Sequence, residues 1–158
     1  MYGLFIRVLF VSHLATTFYM LGLIWIMQVV HYPLFASVGN EQFSDYARRH
    51  SKRITLVVAS PMLIEAATAL LLLLFRPSTI AVWFLWTGVA LLGCICLSTA
   101  MVQVPCHKIL SWGFDPAVHH RLVWTNGLRT AAWSLRGALV LWMVWSSLSP
   151  LGTAHVME

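Results

Sequence analysis

Charge is scarce in this chain. Asp, Glu, Lys and Arg make up 9% of the 158 residues, hydrophobic residues make up 59%, and mean hydropathy is +0.79. An ordinary soluble domain carries about 25% charged residues. The shortfall implies that most of the surface faces something apolar. Cysteine is scarce too, and Cys94, Cys96 and Cys106 do not make a disulfide framework. Cys94 and Cys96 sit inside an apolar run, where thiols pack as small hydrophobes; a redox pair is the minor reading. Cys106 stands beside His107, as a ligand or as an ordinary loop thiol. An H-E-x-x-H motif, a paired C-x-x-C, a phosphate loop and a G-x-S-x-G elbow are all missing, which leaves hydrolase and nucleotide-binding functions without support. The net charge of +5 is not a nucleic-acid footprint, because the basic residues cluster where membrane topology needs them.

Long apolar runs are what the sequence has instead. Val8–Val30 and Ser78–Val102 contain no Asp, Glu, Lys or Arg, Ile54–Phe75 contains Glu65 alone, and Leu122–Leu148 contains Arg129 and Arg136. A membrane-crossing helix needs about 20 such residues. The expected fold is all-α: an integral membrane bundle of four transmembrane helices in a single domain, 1–158. Its spans are expected at about 5–30, 54–75, 78–103 and 122–148, with helical connections at about 40–53 and 115–121. The first run exceeds the roughly 7–15 residue core of a signal peptide and shows no A-x-A-like site, so an uncleaved first span is expected. Arg48, Arg49, Lys52, Arg53, Lys108 and Arg121 fall in the two long connections. The positive-inside rule then puts those connections in the cytoplasm and both termini outside, in a bacterial inner membrane. Trp25, Trp112 and Trp124 on one side, and Trp83, Trp142 and Trp145 on the other, suit the two interfacial belts.

Local signals refine the connections. Pro33 blocks simple continuation of the first span, and Pro105 ends the third. Asn40 before Glu41 reads as a cap with an early acid, opening a helix that continues into the second span. Asp115-Pro116 reads as a cap and first residue of the helix that enters the fourth. Pro61 predicts a kink in the second. The halves look like a weak repeat, with Gln28-Val29 then His31 matching Gln103-Val104 then His107, and His50 matching His120.

The repeat sets out the functional candidates. His31, His50, His107 and His120 each flank a span at the same end, so a zigzag through the membrane brings them into one layer. The repeat pairs His31 with His107 and His50 with His120; His119 competes with His120 for the inward position. Imidazole titrates near physiological pH and is a common metal and heme ligand. Asn126, Arg129, Trp133 and Arg136 recur at three- and four-residue spacing and share one helix face. Arg129 either binds an anionic group or snorkels toward Asp45 or Asp115. Deeper, Glu65, Arg136 and His13 come to similar depth, predicting a Glu65–Arg136 ion pair with His13 close by. That group is either structural or a proton relay or metal ligand.

The segment Val104-Pro105-Cys106-His107-Lys108-Ile109-Leu110, then Asp115, then Trp124-Thr125-Asn126-Gly127-Leu128-Arg129-Thr130, resembles the second half of the anthrone-oxygenase-like small membrane proteins. Those show Pro–x–Asn/His–x–x–Leu followed by Trp–x–x–x–Asn–x–x–Arg. The match covers about a third of the chain, and the first half, with His31, Tyr32, Pro33 and the basic helix, has no counterpart. The resemblance implies a four-span bundle and an oxygenase acting on a hydrophobic aromatic.

The leading expectation is a membrane oxidoreductase or oxygenase acting on a hydrophobic, aromatic or quinone-like small molecule. His31, His50, His107 and His120, with Glu65, are the candidate ligands of iron, copper or heme. Gln28, Gln103 and Arg129 are candidate cofactor-binding residues, and His107, Arg129 and Asn126 candidate catalytic ones. A metal-free variant uses a histidine as general base on a phenol or quinol, with Arg129 stabilising the anion. The rivals are a non-catalytic subunit or assembly factor of a larger membrane complex, and a small proton-coupled transporter. The expected partners are the lipid bilayer, a hydrophobic small molecule and a homo-oligomer or larger complex, with no nucleic acid.

Overall fold

The computed structural model describes residues 2–77 and 80–148. The expected start of the third span at Ser78 and the tail with His155 lie outside them. Four long helices carry the described chain: α1 Gly3–Phe35, α2 Asn40–Leu74, α3 Val82–Leu110 and α4 Pro116–Leu148. Among the described residues there is no strand. The first three helices are long and apolar enough to cross a membrane, and α4, of 33 residues, is not among them. Its burial pattern explains why. Asn126, Arg129, Thr130 and Arg136 lower its hydropathy, yet all four are buried, while Leu128, Leu135, Leu141 and Trp142 lie exposed.

Each helix packs against two others, α1 on α2 and α4, and α3 on α2 and α4. Three apolar clusters are stacked along this arrangement. Phe35, Phe43, Leu110 and Leu122 fill the end that carries the histidine layer, Met20, Ile24, Ile95 and Trp133 the middle, and Leu9, Leu72, Leu85 and Met143 the opposite end. Large apolar side chains also cover the outside, among them Leu56, Leu63, Leu74, Trp86 and Met101. Soluble monomers rarely expose so extensive an apolar surface.

The prolines act differently from expectation. Pro33 and Pro105 do not end their helices: α1 runs on to Phe35 and α3 to Leu110. Just before each proline the helix widens into a π turn, Met27–His31 and Thr99–Gln103. The N–H of Tyr32 reaches back to the Met27 carbonyl and that of Val104 to the Thr99 carbonyl, five residues away. A wider turn gives room where the proline ring would crowd the preceding turn, and the helix continues. The two π turns also correct the register of the half-repeat. Counted from the prolines, His31 corresponds to Gln103 and Phe35 to His107.

At the start of α2 the N-cap is Gly39, not Asn40, and no side chain caps it. At the start of α4 the cap is as expected, with Asp115 Oδ1 accepting from the N–H groups of Ala117 (2.9 Å) and Val118 (3.0 Å). Pro61 lies inside the unbroken helix α2.

Gly137 lies where α4 meets α1, facing the side chain of Leu21. A Cβ at this position would sit 2.8 Å from Leu21 Cδ2, closer than such atoms pack. Small residues at helix contacts allow this proximity. Gly137→Leu is expected to force the helices apart and destabilise the protein by about 1–3 kcal/mol, the usual scale of overpacking. A thermal midpoint in detergent equal to that of the wild type would show that this contact does not set the packing.

Candidate functional site

The interior holds two polar layers. The deeper one is built around Glu65, which is fully buried. Arg136 Nη2 donates to Glu65 Oε1, and Arg136 Nη1 donates to the Gly88 carbonyl. Thr17 donates to Oε1 and Thr16 to Oε2, both at 2.7 Å. His13 Nδ1 lies 3.6 Å from Glu65 Oε2 and 2.9 Å from Thr68 Oγ1. Four helices contribute, and one carboxylate satisfies donors from two of them. In an apolar interior such a pair holds only because both charges are hydrogen-bonded as well as opposed.

The second layer lies at the histidine end. His31 and His50 share a hydrogen bond, Nε2 to Nδ1, at 2.8 Å, and the rings of His50 and His107 are 5.3 Å apart. The pairing is therefore His31 with His50, and His107 beside His50, rather than the cross-half pairs the repeat suggested. His107 Nε2 is 3.1 Å from the Tyr32 hydroxyl. Between His119 and His120, it is His119 that turns inward. Its Nε2 donates to the Tyr32 carbonyl at 2.8 Å, and its ring stacks on Phe35. That carbonyl belongs to the last turn of α1, where intrahelical donors run out. His120 is exposed and lines a lateral groove with Gln28, Trp124 and Gly127. It is not part of the layer, because one residue of helical rotation, about 100°, turns it away from His119.

Polar side chains of α4 form the floor. Gln28 Oε1 accepts from Asn126 Nδ2 at 2.8 Å, and Asn126 Oδ1 accepts from Arg129 Nη1 at 3.1 Å. Gln103 Nε2 donates to Thr125 Oγ1 at 2.8 Å. Tyr32 and His107 are electrostatic neighbours of Arg129. Four buried polar atoms in this region have no hydrogen-bond partner among the described residues: His50 Nε2, His107 Nδ1, Gln103 Oε1 and Arg129 Nε.

Arg129 is the electrostatic anomaly. It is 8% exposed, and none of the described carboxylates pairs with it. Asp45 pairs on the surface with Arg48 and Arg49, and Asp115 is occupied in capping α4. Arg129 therefore does not snorkel to either acid, and the interior holds one cation more than it neutralises.

A shared metal set of His31, His50, His107, His120 and Glu65 does not assemble. Glu65 is engaged in the deeper layer and His120 faces outward. His31 Nε2 and His50 Nδ1 are engaged with each other at 2.8 Å. Among the described residues no group of three or more His, Cys, Asp or Glu is placed to hold a metal ion. Cys106 is buried in the apolar cluster with Phe35 and Leu110, on a helix and not in a loop. Tyr32, Thr16, Thr17 and Thr68 have no place among the sequence candidates, whereas His119 stands there as the alternative to His120. The Thr16-Thr17 pair inside an apolar run, and Tyr32 between His31 and Pro33, were the available signals. Comparison with protein-family models, with curated proteins and with solved structures gives no match.

The deeper layer yields a clear ordering of stabilities. Removing one member of a buried ion pair costs about 3–5 kcal/mol, while replacing both with apolar residues is often neutral. Glu65→Leu and Arg136→Leu should each lower the thermal midpoint in detergent sharply, and the double variant should recover most of the loss. A double variant as damaged as the sum of the singles would refute mutual neutralisation.

Proposed function

We propose that this chain is a four-span integral membrane protein whose histidine end binds a hydrophobic aromatic molecule carrying an acidic hydroxyl, a phenol or quinol, and removes its proton. The phenolate formed is the electron-rich species from which an external oxidant, dioxygen or a quinone, takes electrons. The protein is thus an oxidoreductase of the kind that the resemblance to anthrone-oxygenase-like proteins implies.

The fourth span rests on a division of labour in α4. Its polar side chains point inward and its outward face is apolar, so a lipid environment meets Leu128, Leu135, Leu141 and Trp142 rather than the arginines. Exposed Arg48, Arg49, Lys52 and Arg53 lie at the histidine end of α2, which favours a cytoplasmic position for that end.

The observation that carries the reading is Arg129, a buried cation with no described carboxylate partner. Buried ionised groups are paired or bind ligands, since an isolated charge away from water is strongly disfavoured. An anionic oxygen supplies the missing charge and an acceptor for Nε. Next to it, His107 keeps Nδ1 unpartnered, and His50, whose ring is 5.3 Å from that of His107, keeps Nε2 unpartnered, as a general base requires. Asn126 holds Arg129 through Nη1, and Gln28 holds Asn126 in turn, so the guanidinium is positioned before a ligand arrives. The ring nitrogens serve this reading as acid–base groups and not as ligands converging on a metal.

The probe is 2-naphthol, whose absorption distinguishes the neutral form from the naphtholate. Protein reconstituted in nanodiscs at neutral pH is expected to bind it as naphtholate. Arg129→Gln should weaken binding by about tenfold or more, since a charged hydrogen bond contributes roughly 1.5–3 kcal/mol. His107→Phe should allow binding but abolish the naphtholate band. Binding only as the neutral form, with both variants behaving as wild type, rules the proposal out.

A further inference from the structure

The deeper layer contains a cavity of about 20 Å³ whose lining includes His13, Ala69, Gly88, Leu139 and Arg136. That volume holds one water molecule, which also needs two or more polar partners. Arg136 supplies one. It is 1% exposed, its two terminal nitrogens are spent on Glu65 and Gly88, and its Nε has no partner among the described residues.

His13 supplies the second, and its tautomer follows from the bonds around it. The Thr68 hydroxyl donates to the Ile64 carbonyl at 2.8 Å. The same hydroxyl oxygen lies 2.9 Å from His13 Nδ1. With its single hydrogen on the Ile64 carbonyl it accepts from Nδ1, the tautomer that leaves the Nε2 lone pair free.

We propose that His13 is a proton-accepting site in the interior of the helices. Thr68 fixes its tautomer, and Nε2 presents its lone pair to a single water shared with Arg136 Nε. On protonation an N–H bond forms at Nε2 with a proton delivered by hydronium, and nothing is oxidised or reduced. The imidazolium keeps its Nδ1–H on Thr68 and lies 3.6 Å from Glu65 Oε2. The charged groups around it are Glu65 from α2 and Arg136 from α4, and α3 contributes the Gly88 carbonyl. The site is separate from the histidine end and does not depend on what binds there.

The test is nitrogen-15 NMR of histidine-labelled protein in bilayers, with the His13 signals assigned by their loss in His13→Phe. The expected spectrum at neutral pH shows Nδ1 protonated and Nε2 as an unprotonated acceptor, with magnetisation transfer from water to the ring. Lowering the pH should convert that signal to imidazolium. Thr68→Val should mix the two tautomers, and Thr68→Ser should restore the single one. Ala69→Val should fill the cavity and abolish the water transfer while leaving the tautomer in place. A wild-type spectrum with Nε2 protonated, or without water transfer, overturns the proposal even if a variant fails to fold.

Discussion

The pairing of Glu65 with Arg136 is the constraint on which the rest of the arrangement depends. Both charges lie in the middle of an apolar interior, and the carboxylate also takes the hydroxyls of Thr16 and Thr17. With the Gly88 carbonyl accepting from Arg136, one network engages all four helices at a single level. In a bilayer, where no hydrophobic force drives helix association, apolar side chains alone would allow such helices to slide or rotate against one another. A hydrogen-bonded ion pair permits one register. That register turns the stripe of α4 inward, and with it Asn126 and Arg129.

This placement gives the two polar layers different characters. In the deeper layer positive and negative charge balance, and the carboxylate of Glu65 is fully engaged. At the histidine end they do not balance. Arg129 carries a charge that no described carboxylate meets, and imidazole nitrogens of His50 and His107 face no partner. The same sequence that completes one network leaves the other open, and an open, pre-positioned cation beside free bases is what an ionisable hydroxyl would need. The π turns at Met27–His31 and Thr99–Gln103 contribute by keeping α1 and α3 helical past their prolines. His31, Tyr32 and His107 are thereby carried on helices rather than on loops.

Much of this was legible in the sequence, and the misses have physical causes. The apolar runs announced long helices, and the spacing of Asn126, Arg129, Trp133 and Arg136 announced a shared face. The depth of Glu65 and Arg136 announced their pairing, because each is a charge that an apolar span must neutralise. What failed was local geometry. Pro33 and Pro105 look like stops in the sequence, because spacing cannot show that a widened turn absorbs the proline. That same turn adds rotation, which upset the pairing expected for His31 and His107. His119 and His120 are adjacent, and only the position of the Tyr32 carbonyl decides between them. The metal set failed for a related reason: a layer of histidines at one height says nothing about where their nitrogens point.

The proposed function requires an anionic oxygen at Arg129. The most direct measurement is a dipolar-coupling experiment between the guanidinium nitrogens of Arg129 and a carbon-13-labelled 2-naphthol bound to the protein in bilayers. A coupling from Arg129 corresponding to hydrogen-bond contact with the naphthol oxygen is expected. Saturating ligand with no coupling to Arg129 would contradict it.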